Sequence, residues 1–166
     1  MPDKATLERA KKDKREGKAP STQAGEFVRE EIEHIREGKH GARSAKQAIA
    51  IGLSKARRAG VDLPPPARGA TSEQTRRSAA SANRAGQEGD HEVSPARSRA
   101  VTRALKREGQ AAASKQALSR HAHAAAAEKT AADRSAAARK AVRTKGAAER
   151  SAAARKAART RARTSG

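Results

Sequence analysis

The sequence predicts a mainly α-helical protein without a β-sheet, in which a helical hairpin head over residues of about 4–60 precedes a linker and a basic tail. Three observations support this fold class. Large apolar residues recur at helical spacing over 22–37 and 45–59. Residues 64–95 are rich in Pro, Gly, Ser and charge without periodicity. The last 38 residues are dominated by an Ala- and Arg-rich repeat. The expected divisions are a small helical head (1–63), a disordered linker (64–95), short helices (96–128) and a basic tandem-repeat tail, helical or disordered (129–166).

The composition limits how much of the chain can form a core. The sequence has one Phe, no Trp and no Tyr, and Ala makes up most of its 35% hydrophobic content. Nine of the sixteen larger apolar side chains lie between Phe27 and Leu63. Residues beyond Leu63 therefore offer too little apolar surface to offset the chain entropy lost on folding. We expect a compact fold in the head and not across all 166 residues.

Glycines and capping residues set the expected helix boundaries. Three segments begin with Arg-Glu-Gly and continue to a Ser or Thr closely followed by Gln-Ala. Glycine suits the left-handed position just past a helix end, and Ser or Thr suits the N-cap of the next helix. "SAKQ", from Ser44 to Gln47, also fits a capping box. The three glycines are Gly17, Gly38 and Gly109. The sequence thus predicts helices near 4–16, 22–37, 45–59 and 96–108.

The second and third of these helices are expected to form the hairpin. Gly60 and "LPPP" end the third helix. Burying six core side chains would contribute roughly 12 kcal/mol, which is less than the cost of ordering the segment at about 1.5 kcal/mol per residue. We therefore expect a partner or self-association to complete the head. The six expected core side chains are Phe27, Val28, Ile32, Ile35, Ile49 and Leu53.

A large positive charge is concentrated near the C-terminus. The net charge is +20, and residues 110–166 hold 14 basic and 3 acidic groups. "KTAADRSAAARKAVRT" (129–144) is followed at once by "KGAAERSAAARKAART" (145–160). As a helix, each unit would rise about 24 Å beside a duplex that carries about one charge per 1.7 Å of axis. The basic residues of a unit are expected to scatter around the whole helix, which does not suit packing on protein.

The predicted partner is DNA, with RNA as a weaker candidate. Counterion release would drive binding, and the planar fork of Arg suits phosphate oxygens. The absence of stacking aromatics disfavours single-strand and RNA modules. Residues 45–59 could instead be the recognition helix of a helix-turn-helix, but the seven-residue loop before them is long for that motif, and ordinary packing with a basic outer face is favoured. The predicted tail contacts are Arg134, Arg139, Lys140, Arg143, Lys145, Arg150, Arg155, Lys156, Arg159, Arg161 and Arg163, and the predicted head contacts are Lys46, Lys55, Arg57 and Arg58.

No catalytic, cofactor or metal site is predicted. The chain has no Cys, no Walker-type loop and no evident nucleophile–base pair. His121 and His123 point to different faces of a helix, while His34 and His40 flank a glycine turn. No apolar run is long enough to span a membrane, and the N-terminus lacks the apolar centre of a signal peptide. A non-enzymatic protein of the cytoplasm, located at the bacterial nucleoid, is expected.

The segment "SAKQAIAIGLSKARRAG" (44–60) resembles a "KQAIAIGLSKAR"-type box found in small, basic, largely uncharacterised bacterial and viral proteins. Some of those proteins are labelled DNA-binding or histone-like. The preceding "STQAGEFVREEIEHIREGKHGARS" extends the likeness, so that it covers roughly the first 65 residues. The tail resembles linker-histone tails in composition only. The resemblance implies a DNA-binding class and no catalytic residues.

The functional hypothesis is non-specific DNA binding by a histone-like, nucleoid-associated protein. Two alternatives from other classes stay open at this point. A disordered stress protectant would share the Ala richness and the lack of aromatics, although it would more usually be near neutral. An RNA- or ribosome-associated basic protein would share the charge and would prefer folded RNA.

Overall fold

The computed structural model describes residues 2–89, 94–144 and 146–164. Those residues form helices and connecting turns without a strand, so the mainly α prediction is confirmed. Internal contacts divide the chain into two compact units, Met1–His121 and Ala122–Gly166, and the predicted four-way division stays a prediction. The helices are α1 (Lys4–Arg15), α2 (Pro20–Arg36), α3 (Ala45–Arg58), α4 (Glu73–Glu88), α5 (Pro95–Lys106), α6 (Lys115–Ala127), α7 (Ala131–Thr144) and α8 (Ala147–Thr164), with a 3-10 turn at Ala111–Ala113.

The four predicted helices are confirmed as α1, α2, α3 and α5, each within two residues at either end. Gly17 and Gly38 are left-handed, with φ of +69° and +76°, as expected just past a helix end. Gly109 does not have a positive φ, so that prediction is wrong. At α3, the Ser44 hydroxyl accepts a hydrogen bond from the Gln47 backbone N–H at 3.2 Å. The Gln47 side chain accepts one from the Arg43 backbone N–H at 2.8 Å, one residue before the predicted partner.

Helices α2 and α3 form the expected hairpin, with one apolar cluster toward each end. The cluster nearer the hairpin loop contains Ile32 and Ile35 of α2. The cluster nearer α1 is centred on Phe27, which is 1% exposed. Ile49 is only half-buried and contributes to neither buried cluster, unlike the prediction. Between the clusters the backbones of α2 and α3 approach each other closely. A Cβ added to Gly52 would lie only 2.6 Å from the Val28 Cα.

Later segments of the same chain complete the head. Ala112, Ala113 and Leu118 pack on the cluster around Ile35. The Gly41 backbone N–H donates to the Leu105 carbonyl at 2.9 Å, so the end of α5 is fastened to the hairpin loop. Residues of the 105–118 segment thus cover part of the hairpin, and the expectation of a partner or second copy stays a prediction.

The prediction of a disordered linker over 64–95 is wrong for its described residues. Most of them form α4, which packs on α3. The Ser72 hydroxyl caps α4 by accepting from the Thr75 backbone N–H at 3.2 Å. Ala79, Ala82 and Gly86 lie at helical spacing, and a Cβ on Gly86 would stand 1.8 Å from the Arg57 carbonyl oxygen. A stripe of small residues therefore supplies a contact that a search for large apolar side chains overlooks. Residues 90–93 of the predicted linker lie outside the described residues.

The basic tail is helical, so the disordered alternative is wrong. Ala is the strongest helix former, and it dominates both α7 and α8. Thr130 and Asp133 also cap α7 reciprocally, since Thr130 Oγ1 accepts from the Asp133 backbone N–H at 3.1 Å and the Asp133 carboxylate accepts from the Thr130 backbone N–H at 3.0 Å. None of the described side chains of this unit is buried. The second unit thus owes its helices to local propensity and capping, and not to a core.

Candidate nucleic-acid interface

The two tail helices carry matching basic stripes. Each repeat contains Arg-Lys-x-x-Arg, at 139–143 in α7 and at 155–159 in α8. At about 100° per residue, the three basic residues of each motif fall within an arc of about 100°. Arg163 extends the α8 stripe along the same face. The expected scatter around the whole circumference is therefore corrected: only Arg134, Arg150 and Arg161 lie well away from these stripes.

Most basic side chains of α7 and α8 form no hydrogen bond or ion pair with the residues that the structure describes. Arg134 is an exception, because its Nη1 donates to the Lys129 carbonyl at 2.8 Å. Lys140 and Arg161 are also exposed on these helices. Lys145, a predicted contact, lies outside the described residues. Among the described residues of α7 and α8, the exposed basic side chains without a hydrogen bond or ion pair are Arg139, Arg143, Arg150, Arg155, Lys156, Arg159 and Arg163.

The density of positive charge on α8 is high, because the helix contains few acidic residues. Its 18 residues include six basic side chains and one acid, Glu149. The helix is about 27 Å long and would face about 16 phosphates of a duplex. No described side chain of α8 is buried, and its basic side chains other than Arg161 are exposed without a partner among the described residues.

Two of the four predicted contacts on α3 are exposed. Lys46 and Arg58 both lie on the surface. Lys46 lines an open cleft of about 360 Å³ at the start of α3, together with Arg43 and Arg120. Backbone N–H groups at a helix start and basic side chains both favour anions. The residues that line this cleft include no buried polar side chain, so a phosphate contact here stays a prediction.

Lys55 points into the protein. Its Nζ lies 2.6 Å from Glu31 Oε2 and 3.5 Å from Glu30 Oε1, both on α2. Glu31 is fully buried and Glu30 is 2% exposed. Lys55 therefore neutralises buried carboxylates within the fold, and its contact with DNA stays a prediction.

Arg57 also has an internal role. It is 6% exposed, and its Nε and Nη2 donate to the carbonyls of Leu63 (3.0 Å) and Pro64 (3.1 Å). Burial lowers the pKa of this guanidinium. A sequence signal existed, since the following Leu-Pro-Pro-Pro run has carbonyls but few N–H groups to pair with them. Arg57 holds that run against α3, and its contact with DNA stays a prediction.

A cluster of carboxylates and histidines escaped the sequence analysis. His40 Nε2 lies 3.3 Å from Glu31 Oε1, and His34 Nδ1 lies 4.0 Å from Glu30 Oε1. His34 Nε2 lies 3.2 Å from Asp3 Oδ2 and holds the pKa of the Asp3 carboxyl below its usual value, chiefly through this hydrogen bond. The available signal was the spacing of Glu30, Glu31 and His34, which puts all three on neighbouring positions of one helix. The turn that brings His40 back onto α2 was not readable from spacing.

The model of a family of unknown function, DUF6496, matches residues 11–67. The match spans α2, α3 and only the last five residues of α1, and it leaves α4 to α8 outside. A likeness to an uncharacterised family is thereby confirmed for the head, while the DNA-binding and histone-like labels stay predictions. No curated protein and no solved structure matches the chain. In the described part of the chain, no helix is both long and apolar enough for a bilayer span.

Proposed function

We propose that this protein binds duplex DNA without sequence preference through α7 and α8, as a histone-like, nucleoid-associated protein of the bacterial cytoplasm. The observation that carries the proposal is the set of seven exposed basic side chains on these helices that have no partner within the described residues. Each is ready to exchange its counterions for phosphate at little cost in lost internal contacts.

The stripes on α7 and α8 favour contact with a regular array of phosphates. Arg155, Arg159 and Arg163 follow one another by four residues, or about 6 Å along the helix, so their guanidinium groups form a regular row on one face. Guanidinium groups donate paired hydrogen bonds to phosphate oxygens. A helix with this stripe can lie along a groove edge and contact several phosphates at once.

The proposed lack of preference for a DNA sequence follows from how these basic side chains are held. Base readout needs a helix or ribbon held in a groove by a supporting fold. In the described residues, α8 buries no side chain, and two of the four α3 candidates are used internally. Contacts to phosphate alone position a protein and carry no sequence information.

The experiment is a salt series of duplex binding with the full chain and two matched variants. The tail variant replaces six arginines by glutamine: Arg139, Arg143, Arg150, Arg155, Arg159 and Arg163. The control removes the same charge from exposed, unpaired positions of the first unit: Lys4, Lys14, Arg15, Arg84, Arg97 and Arg99. If the tail makes the contacts, the tail variant reduces the slope of log K against log salt by about 5, and the control changes it by less than about 1.

Three outcomes would overturn the proposal. Equal losses in both variants would show that net charge alone matters, as for a stress protectant. No binding to duplex near physiological salt would remove the function altogether. Preferential displacement of duplex by folded RNA would favour the RNA- or ribosome-associated alternative.

A further inference from the structure

The geometry points to a binding site for a divalent first-row transition metal, with Zn²⁺ the natural probe, formed by Glu31, His34 and His40. Each of these residues offers a ligand atom, and the three atoms lie within 4.8 Å of one another. The site lies in the head, where α2 meets the hairpin loop. It is independent of the basic tail and of the proposed DNA binding.

Buried charge is the first reason for this inference. Glu30 and Glu31 are adjacent on α2 and almost fully buried, and Asp3 stands beside them. Lys55 is the cation placed among these three carboxylates. Both Glu31 oxygens are buried and lack a hydrogen bond of good geometry, although Lys55 lies 2.6 Å away. Charge and not a directed hydrogen bond therefore holds that pair, and with neutral histidines Lys55 balances only one of the two buried carboxylates.

The orientation of His40 is the second reason. Its Nδ1 lies 3.1 Å from the Gly41 carbonyl oxygen, which only accepts hydrogen bonds, so Nδ1 carries the proton. In the neutral ring, Nε2 then presents a lone pair toward Glu31 Oε1 at 3.3 Å. Two acceptors that face each other repel unless a proton or a metal ion lies between them, so this contact is a place where a metal ion can replace a proton. A backbone carbonyl on the remote nitrogen is also the usual way in which a protein fixes a metal-ligating histidine.

His34 repeats this arrangement with a carboxylate. Asp3 Oδ2 accepts from His34 Nε2 at 3.2 Å, which leaves Nδ1 as the nitrogen with a lone pair. That Nδ1 faces the carboxylates of α2, 4.0 Å from Glu30 Oε1. Asp3 is thus a positioning residue, in the carboxylate–histidine–metal order common in metalloproteins. Glu30 is close enough to serve as a fourth ligand or to balance the charge of the ion.

The dimensions and donor types indicate the kind of metal. Ligands at about 2.0–2.1 Å around a tetrahedral ion are about 3.4 Å apart, so the side chains would close by about 1 Å through small torsional changes. Imidazole and carboxylate together suit Zn²⁺ and its neighbours, whereas Ca²⁺ and Mg²⁺ prefer oxygen alone. Lys55 is 25% exposed and has a flexible stem, so its ammonium is the internal competitor that an entering ion would displace.

The test is a zinc titration of the full chain, without an affinity tag, in competition with a chromophoric chelator. We expect one Zn²⁺ per chain, a rise in the unfolding temperature with Zn²⁺, and no such rise with Ca²⁺ or Mg²⁺. His40→Ala should weaken binding by more than about 100-fold, which exceeds the loss usual for a residue outside the coordination sphere. The matched control, His121→Ala with His123→Ala, should leave binding unchanged.

Two further variants keep the proposal falsifiable if His40→Ala fails to fold. Asp3→Asn changes an exposed side chain and should weaken zinc binding by about 10-fold or more. Lys55→Gln removes the competitor and should tighten zinc binding. If this cluster were only an ion-pair network, Lys55→Gln would destabilise the fold without gaining zinc affinity. That result, zinc loss in the His121/His123 control, or the absence of stoichiometric zinc would overturn the proposal.

Discussion

The two units of this protein use positive charge in opposite ways. Met1–His121 contains 26 basic and 15 acidic residues, and its cations include Lys55 and Arg57, which hold buried parts of the fold together. Ala122–Gly166 contains 12 basic and 3 acidic residues and buries no described side chain. The same residue types therefore stabilise a fold in the first unit and present a charged surface in the second. The net charge of a unit does not distinguish these roles. The groups that each basic side chain contacts within the protein do distinguish them.

The comparison also shows that alanine is buried in one unit and exposed in the other. In the first unit, Ala24, Ala48 and Ala113 are completely buried. In the second unit, the alanines of α7 and α8 are exposed, except for Ala157, which is half-buried. Small side chains bury little area each, so they stabilise a core only where helices approach closely. The first unit meets that condition through glycines, and the second does not form a core at all.

Hydrogen exchange should show the largest difference between the units. Amides in α2 and α3 belong to a packed core and should exchange only on global opening, at least about 10³-fold slower than unstructured peptide. Amides in α7 and α8 should exchange by local fraying, with protection below about 10-fold at low salt. Site-resolved exchange by NMR measures both. Equal protection in the two units would contradict the view that the tail helices lack tertiary support.

A matched pair of glycine substitutions should separate packing from propensity within the first unit. Gly52→Ala places a Cβ 2.6 Å from the Val28 Cα, so α2 and α3 must move apart, and we expect a loss of about 2–3 kcal/mol in unfolding free energy. Gly25→Ala meets nothing within 4 Å inside α2 and should gain about 1 kcal/mol. Urea unfolding followed by circular dichroism measures both. Two changes of the same sign would show that the close approach at Gly52 is not structurally important.

Neighbouring arginines provide the next contrast. Arg57→Met leaves the Leu63 and Pro64 carbonyls without donors and should cost about 2 kcal/mol of unfolding free energy. Arg58→Met, on the exposed face one residue later, should change stability by less than about 0.5 kcal/mol. Denaturant unfolding under identical conditions gives the comparison. A neutral Arg57→Met would mean that the proline run does not depend on this clamp.

The head was predictable because its signals were local. Periodic large apolar residues and the capping serine at Ser44 located α2 and α3 to within two residues. The packing of α4 was not predictable by the same reasoning, because Ala79, Ala82 and Gly86 carry no large side chain and their contact is backbone to backbone. Likewise, the pairing of the Gly41 loop with residues 105–109 joins segments far apart in sequence, and spacing contains no information about it.

The candidate sites also differ in how far the sequence alone predicts them. The basic stripes of α7 and α8 follow from composition and helical geometry, although only the 100° rotation per residue shows that each Arg-Lys-x-x-Arg motif occupies one face. The internal roles of Lys55 and Arg57 were not predicted, since a basic residue on an amphipathic helix is normally solvated. The cluster at Glu31, His34 and His40 depends on a turn that returns the chain to α2, and only the three-dimensional structure brings those groups together.

The two repeats of the tail allow the smallest and most local prediction. Thr130 and Asp133 cap α7 reciprocally, whereas glycine stands at the equivalent position before α8, Gly146. Thr130→Gly should therefore lower the local stability of α7, and Gly146→Thr, which recreates a Thr-x-x-Glu box with Glu149, should raise that of α8, each by roughly a few tenths of a kcal/mol. Hydrogen bonds from Thr130 hold the pKa of Asp133 below its ordinary value of 3.8, so the capping contribution is present above that pH and is lost as the pH falls through the lowered value. Carbon chemical shifts of residues 131–134 should report this loss on acidification, and Asp133→Asn should abolish the pH dependence. A change of the same size at the start of α8 in the unmodified chain would show that acid acts on helix charge in general and not on this cap.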